Sequence, residues 1–304
     1  MTTIVVRMKL RSIASGVGGM TLVGGSVGVS QVLTDAPLFT AQAIRYAAAA
    51  VILVLIARVA GVRIVRPRGR EWLWLTGIAA SGLVLFNVAV VRGVAHAEPA
   101  VIAVAVACVP VLLGVIGPLL ERRTPHGRVI AAAVIVTAGS VLVEGTGRAD
   151  PVGIAWAAVA LLCEAGFTLL AVPVLPRHTA WGVSVHSVWI GTAMFIVLGL
   201  VAEGPFAMRR LDGADWAAIG YLAVLVTAVA FLLWYSTVAS LGAGTVGLLT
   251  GVAPVSAALT GIVTGSRAPG PMVWAGMLVV VGGLAAGLVS KPVLRRTHAV
   301  PAFE

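Results

Sequence analysis

Glu164 stands about twelve residues, or roughly 18 Å of helix at ~1.5 Å per residue, into a long apolar stretch. If that stretch crosses a bilayer, an ionised group there costs at least about 2.5–3.5 kcal/mol. A proton, a cation or hydrogen bonds must offset the cost. A carboxyl held this way is a candidate proton carrier. The plainer alternative is a protonated Glu164 bonded to a neighbouring helix. Thr168 stands one turn on, on the same face.

Arg45 lies in a second apolar stretch, eight residues from its start. Three roles suit it: its long stem carries the charge out to the interface, it anchors an anionic substrate, or it pairs with an acid of another helix. The ion pair is the expected role. Asn87 is placed to hydrogen-bond a substrate or a neighbouring helix. Arg92, His96 and Glu98 cluster where a third stretch meets a fourth. At that mouth they form either a polar gate, with Arg92 and Glu98 as its opposite charges, or a merely solvated surface. His186 reads as a satisfied packing group. Trp234 and Tyr235 either line a cavity for a ring-bearing substrate or face packing and lipid.

Pro110 and Pro254 fall inside apolar stretches, where each removes a backbone donor and frees a carbonyl. Beside a cavity such a break can hold a ligand. Ser256, Thr260 and Thr264 form a hydroxyl stripe that lines a pathway or glues helices together. Cys108 and Cys163 lack metal-type spacing and read as packing residues. Nothing calls for a metal or a cofactor.

These residues sit in a chain that is 60% hydrophobic and 11% charged, with mean hydropathy +1.06. A soluble domain carries about 25% charged residues, so lipid must be this chain's solvent. Residues 216–266 contain no Asp, Glu, Lys or Arg, enough for two spans with a turn at Ser240-Leu241-Gly242-Ala243-Gly244. Ten spans are expected, near 12–33, 37–58, 72–92, 98–120, 128–145, 152–173, 180–202, 215–238, 243–264 and 270–290. The first of them follows Arg7, Lys9 and Arg11 like a signal peptide, but it is too long for one and reads as a retained span.

Shifted by 144 residues, the chain lies over itself without a gap. Trp72 falls on Trp216, Glu71 on Asp215, Pro110-Val111 on Pro254-Val255, Gly117 on Gly261, Arg123 on Arg267 and Gly139 on Gly283. Residues 1–147 and 148–304 are therefore two five-helix repeats, joined across the polar linker from Gly145 to Pro151. Five is odd, so the two halves must be inverted relative to each other. Duplicated hydrophobic halves imply a transporter with its substrate site where they meet.

The net charge of +10 sits in short clusters between spans, which argues against a nucleic-acid partner. With the N-terminus inside, 15 of the Arg and Lys residues fall on the cytoplasmic side and 4 outside. Both termini are expected in the cytoplasm.

Two five-helix repeats with these prolines resemble the drug/metabolite transporter superfamily, EamA type. The motifs that carry the resemblance are Ala43-Ile44-Arg45-Tyr46, Val109-Pro110-Val111 followed by Leu120-Glu121-Arg122-Arg123, Ala253-Pro254-Val255-Ser256, and Gly282-Gly283. Gly265-Ser266 departs from the family's usual Gly-Glu. The resemblance covers residues 12–290 and implies a multi-pass secondary transporter of a small metabolite or drug-like solute in a bacterial cytoplasmic (inner) membrane, working by alternating access.

The alternative is a polytopic membrane enzyme acting on a lipid-linked substrate, for which only His96 and Glu98 approach the needed cluster. Gly242-Ala243-Gly244-Thr245-Val246-Gly247 and Gly24-Gly25-Ser26-Val27-Gly28 match soluble-enzyme motifs without their strand context. Gly24 and Gly28 read instead as a close helix contact.

Overall fold

The computed structural model describes residues 2–263 and 269–288, with side chains from Arg7 onward. Thr264, Gly265, Ser266, Arg267, Lys291, Arg295 and Arg296, used in the sequence reading, lie outside the described residues. Among the described residues ten helices are long and apolar enough to cross a membrane. They are α1 (Arg7–Val32), α2 (Leu38–Val59), α3 (Glu71–Val94), α4 (Pro99–Leu120), α5 (Gly127–Glu144), α6 (Pro151–Leu169), α7 (Leu175–Ala202), α8 (Gly213–Leu241), α9 (Ala243–Val263) and α10 (Pro271–Leu288). Among the described residues the only β pairing is a single bridge between Ala97 and Ala149.

The expected boundaries hold to within a few residues, because turn chemistry marks them. Gly242, at φ 78°, reverses the chain between α8 and α9. Asp150 and Asp212 cap α6 and α8 with their side chains. In α7 the backbone breaks at Thr179 (φ 57°, ψ 176°), so the long helix starts at Ala180, as the sequence suggested.

The helices pair as two inverted repeats require. Exchanging each helix for the one five places on maps α1 against α8 and α9 onto α6 against α3 and α4. It also maps α2 against α8 onto α7 against α3. The pairs α2–α7, α4–α9 and α5–α10 map onto themselves. Lys9 Nζ donates to Leu288 O at 3.1 Å, so α1 begins and α10 ends at the same end of the bundle, called here the terminal end.

Lipid tails are as apolar as leucine, so close backbone approach holds such helices together. A Cβ on Gly139 would meet Val280 N at 2.7 Å, and one on Gly283 would meet Val136 N at 3.0 Å. These contacts are symmetry mates on the α5–α10 seam. A Cβ on Gly24 would strike the Ala253 carbonyl, so that glycine is a close α1–α9 contact. Gly28 has open space around it, which corrects the reading that joined it to Gly24.

Gly139→Val should force α5 and α10 apart. A loss of about 1–3 kcal/mol, typical of overpacking, is expected as a lower thermal unfolding temperature in detergent, read by tryptophan fluorescence. Gly28→Val should leave that temperature essentially unchanged.

Candidate functional site

Glu164, Phe167 and Thr168 share one face of α6, at helical spacings of three and four residues. That face meets α8. Trp234 Nε1 donates to Thr168 Oγ1 at 3.0 Å, and the Tyr235 hydroxyl donates to Phe167 O at 3.1 Å. The Phe167 ring lies 4.8 Å from Phe231 and 5.1 Å from Tyr235. Trp234 and Tyr235 are 3% and 0% exposed, so neither faces lipid.

Glu164 is half-buried beside this aromatic group and forms no hydrogen bond or ion pair with any other described residue. The Tyr235 hydroxyl lies within its electrostatic reach. The reading of a Glu164 hydrogen-bonded to a neighbouring helix therefore fails in this structure. Its depth also needs adjusting. α6 ends at Leu169, so Glu164 lies about 7.5 Å of helix from the terminal end rather than halfway.

Arg45 departs from its expected role as well. No carboxylate pairs with it among the described residues. Its Nε donates to Thr227 Oγ1 at 2.9 Å, and its Nη1 to Gln42 Oε1 at 3.4 Å. The guanidinium stands 5.1 Å from the centre of the Tyr46 ring. Gln42 Nε2 donates to Asn87 Oδ1 at 3.1 Å, and Asn87 Nδ2 to Leu83 O at 2.6 Å. Asn87 thus bonds the neighbouring helix α2 and its own backbone one turn back.

Leu83 and Thr227 lie in two π-helical turns, Ala79–Leu85 in α3 and Leu222–Val229 in α8. Such turns recur at functional sites, and these two occupy equivalent places in the two repeats. Spacing alone could not reveal Gln42 or Thr227. Both are short polar residues in apolar helices.

The expected Arg92–Glu98 gate pair is absent. Glu98 instead takes Arg148 Nε at 3.1 Å, and His96 Nδ1 contacts Asp150 at 3.0 Å. The Ala97–Ala149 bridge runs between these pairs and ties the 95–98 turn to the repeat linker. The Gly153 amide and then His96 hold the Asp150 carboxyl below its ordinary range. Arg92 is exposed and lines a groove of about 150 Å³ with Leu38, Phe39, Val88 and Val91.

Pro110 and Pro254 do not sit in the middle of unbroken helices. α4 breaks at Cys108, and Pro110 falls in the first turn of Val109–Leu120. In α9 a 3₁₀ turn over Leu248–Gly251 precedes Val252–Val263, which carries Pro254. At a segment start proline's missing N–H costs nothing. The Ala107 carbonyl at the α4 break is taken by Thr137 Oγ1 at 3.0 Å. Ser256 Oγ bonds Thr21 O at 2.9 Å and so joins α9 to α1. His186 is satisfied: Trp189 Nε1 donates to its Nδ1 at 3.0 Å, which leaves Nε2 to donate to Val65 O at 2.9 Å.

Sequence reasoning missed three carboxylates that tie the repeats together at helix ends. At the terminal end Glu71 bonds Arg177, and His178 Nε2 at 3.1 Å. Glu121 takes the Ala243 amide there at 2.8 Å. At the opposite end Glu203 takes the amides of Phe39 and Thr40, both at 2.8 Å, and the Thr40 hydroxyl at 2.6 Å. The signal was available, since helix N-termini present unpaired N–H groups that attract acids. Their partners were not.

Comparison with known proteins places this architecture. The EamA-like transporter family profile matches residues 11–144 and again 151–288. The uncharacterized transporter YetK of Bacillus subtilis is 25% identical over 311 residues, covering 99% of this chain and 93% of that one. A probable terminal-alkyne amino-acid exporter of Streptantibioticus cattleyicolor is 25% identical over 242 residues, covering 79% and 80%. A crystal structure of another protein superposes with TM-score 0.77 at 19% identity, over 91% of this chain and 96% of that one, a likeness of fold. The membrane-enzyme alternative finds no support among these relatives. With two copies of the family's five-helix unit facing each other across its length, this chain belongs to the EamA-like transporter family and is a secondary transporter of small solutes across a membrane.

Proposed function

We propose that the protein exports an amine-bearing metabolite across the cytoplasmic membrane of a bacterium, and that Glu164 takes a proton and the substrate's ammonium group in turn. The unpaired Glu164 carboxylate beside the aromatic group of α6 and α8 carries this reading. An enclosed carboxylate without a partner is costly when ionised. A proton or an organic cation each offsets that cost, and they exclude one another at a single carboxylate. Ring faces add cation–π attraction, worth up to about 2 kcal/mol when desolvated. Alternation between the two occupants is proton–substrate exchange. The amino-acid exporter among the relatives offers a name with matching chemistry, since amino acids carry an amine.

Residues 1–147 and 148–304 would rock as two units. The Arg and Lys distribution puts the terminal end in the cytoplasm. The Glu71 and Glu121 contacts then close the inner end and the Glu203 contact the outer end, so each access state must break one set. Reporter fusions at residues 70 and 125 should read cytoplasmic, and fusions at 148 and 210 external. An external signal at residue 70 would overturn the orientation.

Charge-assisted contacts contribute about 1.5–3 kcal/mol, so Glu203→Gln should shift the population toward the outward-open state about tenfold or more. With Cys108 and Cys163 replaced, a cysteine at the buried position Thr227 should react faster from outside with an impermeant maleimide. Unchanged labelling would remove Glu203 from the gate.

Glu164→Gln should abolish pH-gradient-driven accumulation of labelled amino acids and primary amines in proteoliposomes. Substrate exchange at equal pH should persist with about tenfold weaker binding, because the aromatic wall remains. Full gradient-driven uptake by the variant would show that Glu164 carries no proton.

A further inference from the structure

We infer that Arg45 is an anion seat that takes the carboxylate of the transported solute, so that the solute carries a carboxylate besides the amine read at Glu164. This rests on the reading of the helix interior as the solute path and adds the substrate's second pole.

The first ground is charge. Arg45 lies within α2, half-buried, and both of its hydrogen-bond partners, Thr227 and Gln42, are neutral. An arginine presents five N–H donors in a fixed fork that fits a carboxylate through two parallel bonds. Here Nε and one N–H of Nη1 are engaged, and Nη2 has no partner among the described residues. Among the described residues no carboxylate offsets this charge, where a counter-charge matters most.

The second ground is that the surrounding groups hold the guanidinium still. Leu83 O accepts from Asn87, whose Oδ1 accepts from Gln42, whose Oε1 accepts from Arg45. The direction of that relay fixes both amides with their acceptors toward the donors. Thr227 holds Nε from the other repeat, and the Tyr46 ring, stacked on Phe195 at 5.4 Å, supports one side. Both π-helical turns feed this one network. A site built so is preorganised and loses little entropy on binding.

Access is the third ground. The groove at the end opposite the termini is lined by Leu38 and Phe39 of α2 and by Val88, Val91 and Arg92 of α3. Leu38, Gln42 and Arg45 follow one another down a single face of α2, while Asn87 adjoins Val88 on α3. Arg92 lines the groove, and Arg45 lies about two turns further into the bundle behind Gln42.

The counterpart pair in the other repeat keeps a hydrogen bond, Trp189 Nε1 to His186 Nδ1, but holds no arginine. Under the 144-residue shift Arg45 corresponds to Trp189, Gln42 to His186, Thr227 to Leu83, Asn87 to Phe231 and Glu164 to Met20. Fold maintenance by itself would place no such pole on one side. A cation site and an anion site at different depths suit a solute that carries both charges and meets them in turn.

The test uses the full chain in nanodiscs, with sodium acetate and isopentylamine as single-pole probes. Acetate, against sodium chloride at equal ionic strength, should raise the unfolding temperature saturably in the wild type and in Glu164→Gln. In Arg45→Gln the apparent acetate affinity should fall at least about tenfold, and Arg45→Lys should recover part of it. Should Arg45→Gln fail to fold, the ¹⁵N guanidinium resonance that Arg45→Lys removes should shift with acetate in the wild type. An unshifted Arg45 resonance, or an acetate effect that survives in Arg45→Gln, overturns the proposal. Isopentylamine separates the two readings. Glu164-dependent amine binding without an Arg45-dependent acetate effect leaves the amine site standing and removes the anion seat. The reverse pattern keeps the anion seat and removes the amine site.

Discussion

Inside a bilayer no water completes a broken hydrogen bond, and the rest of this molecule follows from that restriction. Every backbone amide must be paired within the protein, so the chain crosses as helices. Apolar side chains gain nothing by leaving lipid for one another, so the helices associate where backbones come close. Gly139 against Val280 and Gly283 against Val136 are that contact on the α5–α10 seam, and Gly24 against Ala253 is its counterpart between α1 and α9. Larger residues at these points would hold the helices apart.

The same restriction makes each interior polar group informative. Ser256 and Thr137 cap carbonyls of neighbouring helices, and His186 is bonded at both ring nitrogens. These groups are settled. Glu164 and Arg45 are the contrast: one carboxylate without a partner, one guanidinium with only neutral ones. Neither is balanced by a charge among the described residues. An incoming solute can supply what is missing.

Duplication built the framework, and the charges inside the bundle depart from it. The repeats agree in the α5–α10 glycine seam, their π-helical turns and the acids at the starts of α3 and α8, Glu71 and Asp215, each of which accepts the amide three residues before it. They disagree at Glu164 against Met20 and Arg45 against Trp189. The carboxylate ties at helix N-termini differ between the ends too, with Glu71 and Glu121 at one and Glu203 at the other. An inverted repeat with unequal ends can present two access states of unequal stability, which directional transport uses.

The sequence by itself determined the number of spans, their limits, the duplication and the odd helix count that inverts one half. These depend on composition, on turn residues such as Gly242 and on a 144-residue register, all local or linear properties. It also marked Glu164, because a single acid in a long apolar run is visible without coordinates. Only the tertiary structure decided who meets whom. Arg45 pairs with Thr227, 182 residues away, and not with an acid. Glu98 turns to Arg148 and leaves Arg92 facing a groove. Trp234 and Tyr235 face inward to Thr168 and Phe167. Such pairings depend on the rotation of each helix about its axis. A π-helical turn inserts a residue and rotates everything beyond it, so a fixed 3.6-residue period cannot carry the facing across Ala79–Leu85 or Leu222–Val229.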